Sequence, residues 1–216
     1  MKKYLNWMFA AILICGATLV IASCGKDDDE EQTPQEEQKT NVYEVTLTVI
    51  LPKSVAAYQY VEVQYTDAEG KTNTATVKEG DLSETMPASV KTAVNEAKER
   101  QKVLLEPSDV ASLDKLTSEV IVKNFKMTAQ AGKTISYKGS VAVKENYTIP
   151  TGETFDYLRP IVYPTIVRVS GNSTGYSEFN ERLSFYTAFG VETDHFAEFL
   201  ELQGNMTIGS ASMTLE

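Results

Sequence analysis

The chain has 216 residues, with 20 basic and 30 acidic side chains and a net charge of −10. That balance argues against nucleic acid as a partner, because phosphate contacts need a basic surface, and it disfavours acidic polysaccharide for the same reason. Beyond residue 24 the chain has one histidine and no cysteine, so the usual three or four His and Cys ligands of a zinc site cannot be assembled there.

The chain opens as a secretory signal does. Lys2 and Lys3 form a short basic start, and residues 8–21 form an apolar stretch that closes on Ala22 and Ser23. The stretch is shorter than the roughly 20 residues of a membrane-crossing helix, and its far flank is acidic. Ile21 sits where ordinary signal peptidase wants a small side chain. The segment Ile21-Ala22-Ser23-Cys24 instead resembles the bacterial lipobox. That resemblance implies cleavage before Cys24, a diacylglyceryl group on its thiol and an acylated new amino terminus, with palmitate-type chains. Each CH₂ buried in lipid contributes about 0.8 kcal/mol, and one chain holds only marginally, so two or three make a durable anchor.

The run after Cys24 extends the resemblance. Lys26-Asp27-Asp28 is similar to the lysine-plus-acidic export signal of lipoproteins of the Bacteroidetes group, which implies an outer-membrane, lipid-anchored protein exposed at the cell surface. The same acids also read as a solvated, self-repelling tether, which would serve a periplasm-facing anchor too. Cleavage would remove Lys2, Lys3, Trp7 and Cys15, leaving 18 basic against 30 acidic residues. With Cys24 lipidated, no thiol remains for a disulfide, a nucleophile or a metal. The expected organisation is a cleaved signal peptide over 1–23, a lipidated acidic tether over 24–40 and one β-rich domain over 41–216.

Order begins near Val42. Tyr43, Val45, Leu47, Val49 and Leu51 alternate with Glu44, Thr46 and Thr48, the period-two pattern of a half-buried strand that ends at Pro52. Residues 58–66 and 71–78, joined by Asp67-Ala68-Glu69-Gly70, predict a hairpin. The alternation then lapses. Pro87 precedes Val90, Val94 and Ala97 at helical spacing, which predicts a helix over 88–102. Strand pattern returns over 119–130 and 134–144, and Ala131-Gly132-Lys133 between them predicts a second hairpin. Residues 157–170 read as a strand that Pro160 and Pro164 place at an edge or a bulge. A strand follows over 183–191, with Leu183, Phe185, Phe189 and Val191 inward. Residues 194–202 predict a short helix capped by Thr193 or Asp194, with Phe196, Phe199 and Leu200 on one face. Residues 206–215 close the chain as a strand. The fold class is mainly β: an antiparallel β-sandwich, immunoglobulin-like or Greek-key, with a helical insertion near 88–102 and a short helix near 194–202.

Chemistry is sparse. His195 follows Asp194 directly, and helix neighbours one apart do not face each other, so it reads as an exposed residue of a helix's first turn rather than an oriented base. Glu153, Asp156 and Glu178 flank the proline-broken strand, and two carboxylates suffice for glycoside hydrolysis. Acids in so acidic a chain are, however, mostly solvated surface. Gly171-Asn172-Ser173-Thr174-Gly175 lacks the lysine and following helix of a phosphate loop, and Asp27-Asp28-Asp29 lacks the spacing of a calcium loop. No cofactor and no metal is expected. The loop over 170–180 carries Tyr176 and Phe179 among small polar residues, and such rings offer stacking faces for sugar or contact area for protein, unless they fold back to cap the sandwich.

The expected occupation is therefore a non-catalytic binding or accessory module for a glycan or protein ligand, held to the membrane through Cys24. A structural reading stands beside it: an adhesin or fimbrial-type subunit that polymerises by strand addition. Lipidated precursor, acidic tether and sandwich resemble in layout the fimbrillin-like lipoproteins of the same bacterial group. A carboxylate-based glycoside hydrolase comes third.

Overall fold

Alternating apolar residues need a second sheet to bury them, and the chain supplies one. The computed structural model describes residues 41–170 and 182–216, all within one unit, Gln38–Glu216. In chain order the elements are β1 (Val42–Pro52), the single turn α1 (Lys53–Ala56), β2 (Gln59–Thr66), β3 (Thr72–Val77), α2 (Ala88–Lys102), α3 (Pro107–Ser118), β4 (Val120–Gln130), β5 (Thr134–Val143), β6 (Thr154–Leu158), β7 (Ile161–Ser170), β8 (Thr187–Glu192), α4 (Phe196–Gln203) and β9 (Thr207–Thr214). They form a three-stranded sheet β4-β1-β7, a four-stranded sheet β3-β2-β5-β9 and a ribbon β6-β8, every pairing antiparallel. The expected mainly-β, antiparallel sandwich-like fold with its two helical excursions is the one observed.

The core lies between the two larger sheets. Val45, Leu47 and Val49 of β1 join Val61 and Val63 of β2, Ile135 and Tyr137 of β5 and Val162 and Ile166 of β7 in one buried cluster. The sheets approach closely at Gly139, where an added Cβ would lie 2.5 Å from Val162 Cγ2. Gly139 therefore fills the inward position between Tyr137 and Val141 that a larger residue could not.

β1 departs from the half-buried expectation. Its outward Thr46 and Thr48 are also buried, because α2 lies over that face: Ile50 joins Val90, Val94 and Ala97 of α2 and Leu183 in a second apolar cluster. The buried Thr48 hydroxyl donates to Asn124 Oδ1 at 2.9 Å, as a polar group withdrawn from water must. The helix spans the predicted 88–102.

α3 was not expected. Pro107 occupies its first turn, where a missing N–H costs nothing, and it buries only Leu113 and Leu116, a stripe too narrow to register as a period. Two ion pairs tie it to α2: Asp114 Oδ1 lies 3.2 Å from Lys98 Nζ and 3.0 Å from Lys102 Nζ. These lysines hold the Asp114 carboxyl below its ordinary range.

The hairpin expected at 131–133 does not form. β4 pairs with β1, and β5 with β2 and β9, so the three residues arch from one sheet to the other. Their backbone bonds go sideways, Ala131 N–H to the Asn41 carbonyl and Gly132 N–H to that of Leu215, and Gly132 takes the positive φ of 82° that the reversal requires. Alternation fixed which face of each strand is buried; it carried no information about which strand lies alongside.

The strand expected over 157–170 is two strands. The chain turns at Arg159-Pro160 from β6 in the ribbon into β7, an edge strand of the three-stranded sheet, and Pro164 sits on that edge as predicted. β8 begins only at Thr187, although Leu183 is buried ahead of it. The last helix is preceded by a 3-10 turn, Thr193–His195, and neither Thr193 nor Asp194 caps it: the Thr193 hydroxyl donates instead to the Gly152 carbonyl at 2.5 Å. Phe196 and Leu200 are buried as expected, and Phe196 meets Tyr58 and Phe155 edge to face, with ring centres 4.9 and 5.0 Å apart.

Candidate functional site

Two clefts open on the described surface. The larger, about 500 Å³, lies between α1, α3, the segment 148–151 and the start of β6. α3 presents Ser112, Lys115 and Leu116 to it, positions i, i+3 and i+4 of one helical face, and Glu119 follows at i+7. Tyr58 and Phe155 form an aromatic floor, and half-exposed Ile149 stands at the mouth. Burial holds the Tyr58 hydroxyl well above its ordinary value, with the neighbouring Tyr157 adding to the effect, so it stays a neutral donor.

Of the carboxylates weighed for hydrolysis, Glu153 and Asp156 do not converge here as a reacting pair. Asp156 lines the cleft, but its Oδ1 accepts the Gly190 N–H at 2.9 Å, which serves the irregular register between Phe155 and Tyr157 of the ribbon. Glu153 is exposed and is not among the lining residues; its backbone carbonyl accepts the Thr193 N–H. His195 is exposed beyond the ribbon, and its Nδ1 lies 3.4 Å from Glu192 Oε2 rather than against Asp194. Among the described residues no group of three or more His, Cys, Asp and Glu side chains is placed to hold a metal ion.

The smaller cleft, about 160 Å³, lies where the edge of β7 meets β9, roofed by residues 182–186. Arg159 is its centre. The guanidinium carbon stands 3.9 Å above the centre of the Tyr186 ring, a cation–π contact, and Nη2 donates to Gln203 Oε1 at 3.1 Å and to Met206 Sδ at 3.3 Å. The Arg159 N–H donates to the Tyr186 carbonyl at 3.0 Å, which locks the two residues together through the backbone as well. Behind them the Tyr157 hydroxyl donates to Gln59 Oε1 at 3.1 Å. Burial raises the Tyr157 hydroxyl above its ordinary value, against the opposing pull of Arg159 and the Gln59 bond. Two buried donors there, Gln59 Nε2 and Arg159 Nε, have no acceptor.

Residue by residue, the sequence expectations divide. Cys24, Lys26, Asp27 and Asp28 of the anchor and Tyr176, Phe179 and Glu178 lie outside the described residues. Asp156 lies in the larger cleft, and His195 and Glu153 on the surface. Arg159 went unnoticed in the sequence, although its signal was present: it is a lone charge between Leu158 and Pro160 in a run that is otherwise apolar and aromatic.

Among the described residues no helix is long and apolar enough to cross a membrane. The chain matches no family model, no curated protein and no solved structure. What fold and clefts define is a class by architecture alone: a mainly-β, sandwich-like protein whose helices and ribbon frame two surface clefts.

Proposed function

We propose that the protein is a lipid-anchored outer-membrane protein, exposed at the cell surface, whose β-domain over 41–216 is a non-catalytic binding module for a glycan or protein ligand. Residues 1–23 act as the cleaved signal, Cys24 carries the lipid, and Lys26, Asp27 and Asp28 direct export along an acidic tether. The observation that carries the binding reading is the 500 Å³ cleft. It has the size of a ligand site and an amphipathic lining of an aromatic floor with hydroxyl, amine and carboxylate groups at the rim. Its one acid on the ribbon, Asp156, is already engaged by a backbone N–H.

The fimbrial reading is less well supported. Strand donation needs a terminal strand free to leave, and β1 is paired on both sides, by β4 and β7, while β9, at the edge of the four-stranded sheet, is paired along β5. Donating either would dismantle a sheet of the domain itself.

The address and the binding are tested separately. Labelled palmitate fed to cells is incorporated into the wild-type chain and not into Cys24→Ala, and protease added to intact cells removes the domain. For binding, the full chain captures a glycan or a host protein from an array saturably, and Lys115→Ala or Ile149→Ser weakens the capture. A chain that takes no label contradicts the anchor; an array without a saturable partner contradicts the module.

A further inference from the structure

We infer that the smaller cleft is a seat for a single carboxylate-bearing sugar residue, of the sialic or uronic acid type, within an otherwise neutral glycan. The inference deepens the binding reading above and rests on it, while placing the specificity of binding in a different cleft.

The first ground is charge. In a chain with 30 acids and 20 bases, the lining of this cleft contains, among the described residues, two arginines, Arg159 and Arg182, and no acid. Among the described residues no carboxylate lies within the 4.0 Å of an ion pair from Arg159: its side chain meets an amide oxygen, a sulfur and a ring face. A guanidinium drawn partly out of water without a counterion is costly, and its buried Nε has no acceptor at all. A planar guanidinium held in place by stacking presents a fixed positive charge to a carboxylate.

Size and polarity select the rest of the ligand. At about 160 Å³ the cleft is smaller than the roughly 300–1,000 Å³ of sites that enclose a whole small molecule, so it takes one ring or group of something larger lying across the surface. Tyr186 is 44% exposed, and the part of its ring not covered by Arg159 offers an apolar platform for sugar C–H groups. Tyr137, Tyr163 and Ser184 line the same space. A peptide strand is disfavoured, because two of the lining residues are prolines, Pro160 and Pro164, which lack the N–H that strand addition uses.

The acidic body and the cationic cleft act together on selectivity. A net charge of −10 repels a long polyanion, whereas one carboxylate on a neutral chain meets only the local field of Arg159 and Arg182. The ligand class is therefore a sparsely charged glycan and not a polyuronate.

The test is calorimetric titration of the detergent-solubilised full chain with sialyllactose, lactose and a tripeptide bearing a free carboxyl terminus. Sialyllactose binds, and lactose binds at least tenfold more weakly. Arg182→Gln, an exposed position, reduces sialyllactose affinity tenfold or more and leaves the melting temperature unchanged. Arg159→Lys, which keeps the charge and loses the planar guanidinium, does the same even where Arg159→Gln fails to fold. Equal binding of lactose, or sialyllactose binding indifferent to Arg182→Gln, overturns the carboxylate seat and leaves the binding module standing. Tighter binding of the tripeptide overturns the sugar. If every probe here and every ligand on the array is silent, both readings fall.

Discussion

The Glu84 carboxylate accepts the backbone N–H of Asn124 at 2.9 Å. Asn124 lies on β4, an outer strand of the three-stranded sheet, and the neighbouring residues extend the same device: Ser83 Oγ accepts the Val122 N–H at 3.0 Å, and the Glu84 N–H donates to the Val122 carbonyl at 2.9 Å. Ser83 and Glu84 of the connection between β3 and α2 thus occupy part of the hydrogen-bonding edge that another chain would otherwise pair with. Partial withdrawal from water opposes ionisation of Glu84, but the Asn124 N–H, the Lys123 ammonium and the Asn124 amide outweigh it and hold its carboxyl below the ordinary 4.5.

Replacing Glu84 by Gln removes the charge from these bonds. The expected loss is about 1 kcal/mol near neutral pH, the contribution of a charged hydrogen bond reduced for solvent screening. Because the folded-state carboxyl is depressed, its contribution is fully present above the ordinary value and is lost as pH falls through the folded one. Urea melts of wild type and Glu84→Gln should therefore differ at pH 7, and the difference should shrink as pH falls below the ordinary carboxylate range. A difference that stays constant down to the pH at which the folded carboxyl itself is seen to protonate would show that the bond's charge has no part in it.

Gly139 supplies a packing prediction. Its Cβ would lie 2.5 Å from Val162 Cγ2 and 3.3 Å from Ile208 Cγ1, so Gly139→Ala overfills the space between the sheets at a cost of about 1–3 kcal/mol. Val162→Ala alone leaves a cavity, whereas the double variant restores room for the new methyl group and should be more stable than the sum of the single losses predicts. Strict additivity in thermal melts would place the clash elsewhere.

The pair Tyr157 and Gln59 is expected to be asymmetric. Tyr157→Phe strips the Gln59 amide of its acceptor bond and leaves a wholly unpartnered polar group at a position 0% exposed, which costs about 1–3 kcal/mol. Adding Gln59→Met removes the stranded amide and should recover most of that loss. Equal stability of the single and double variants in denaturant melts would contradict the bond's importance.

How far the sequence carried these conclusions depends on what kind of relation was asked for. Local relations were legible: Val90, Val94 and Ala97 after Pro87 gave α2 its bounds, and the prolines of 160 and 164 announced an edge. Relations between distant segments were not. The glycine turn at 131–133 suits an arch as well as a hairpin, and the difference is decided by β1 and β2, which are far away in sequence and separate the two strands into different sheets. Thr46 and Thr48 look solvent-facing until α2 covers them, and α3 shows too narrow an apolar stripe to be read alone. The candidate sites were the least legible part. The aromatics singled out, Tyr176 and Phe179, lie outside the described residues, while Arg159 and Tyr186 come together only through the pairing of β6 with β8.

The central claim is that this domain binds a ligand and does not transform it. Its most direct test is calorimetric titration of the full chain with the ligand captured on the array, followed by mass spectrometry of the recovered ligand. A saturable isotherm and a ligand of unchanged mass are predicted; a cleaved product, abolished by Asp156→Asn or Glu153→Gln, would contradict the account and make the protein a hydrolase.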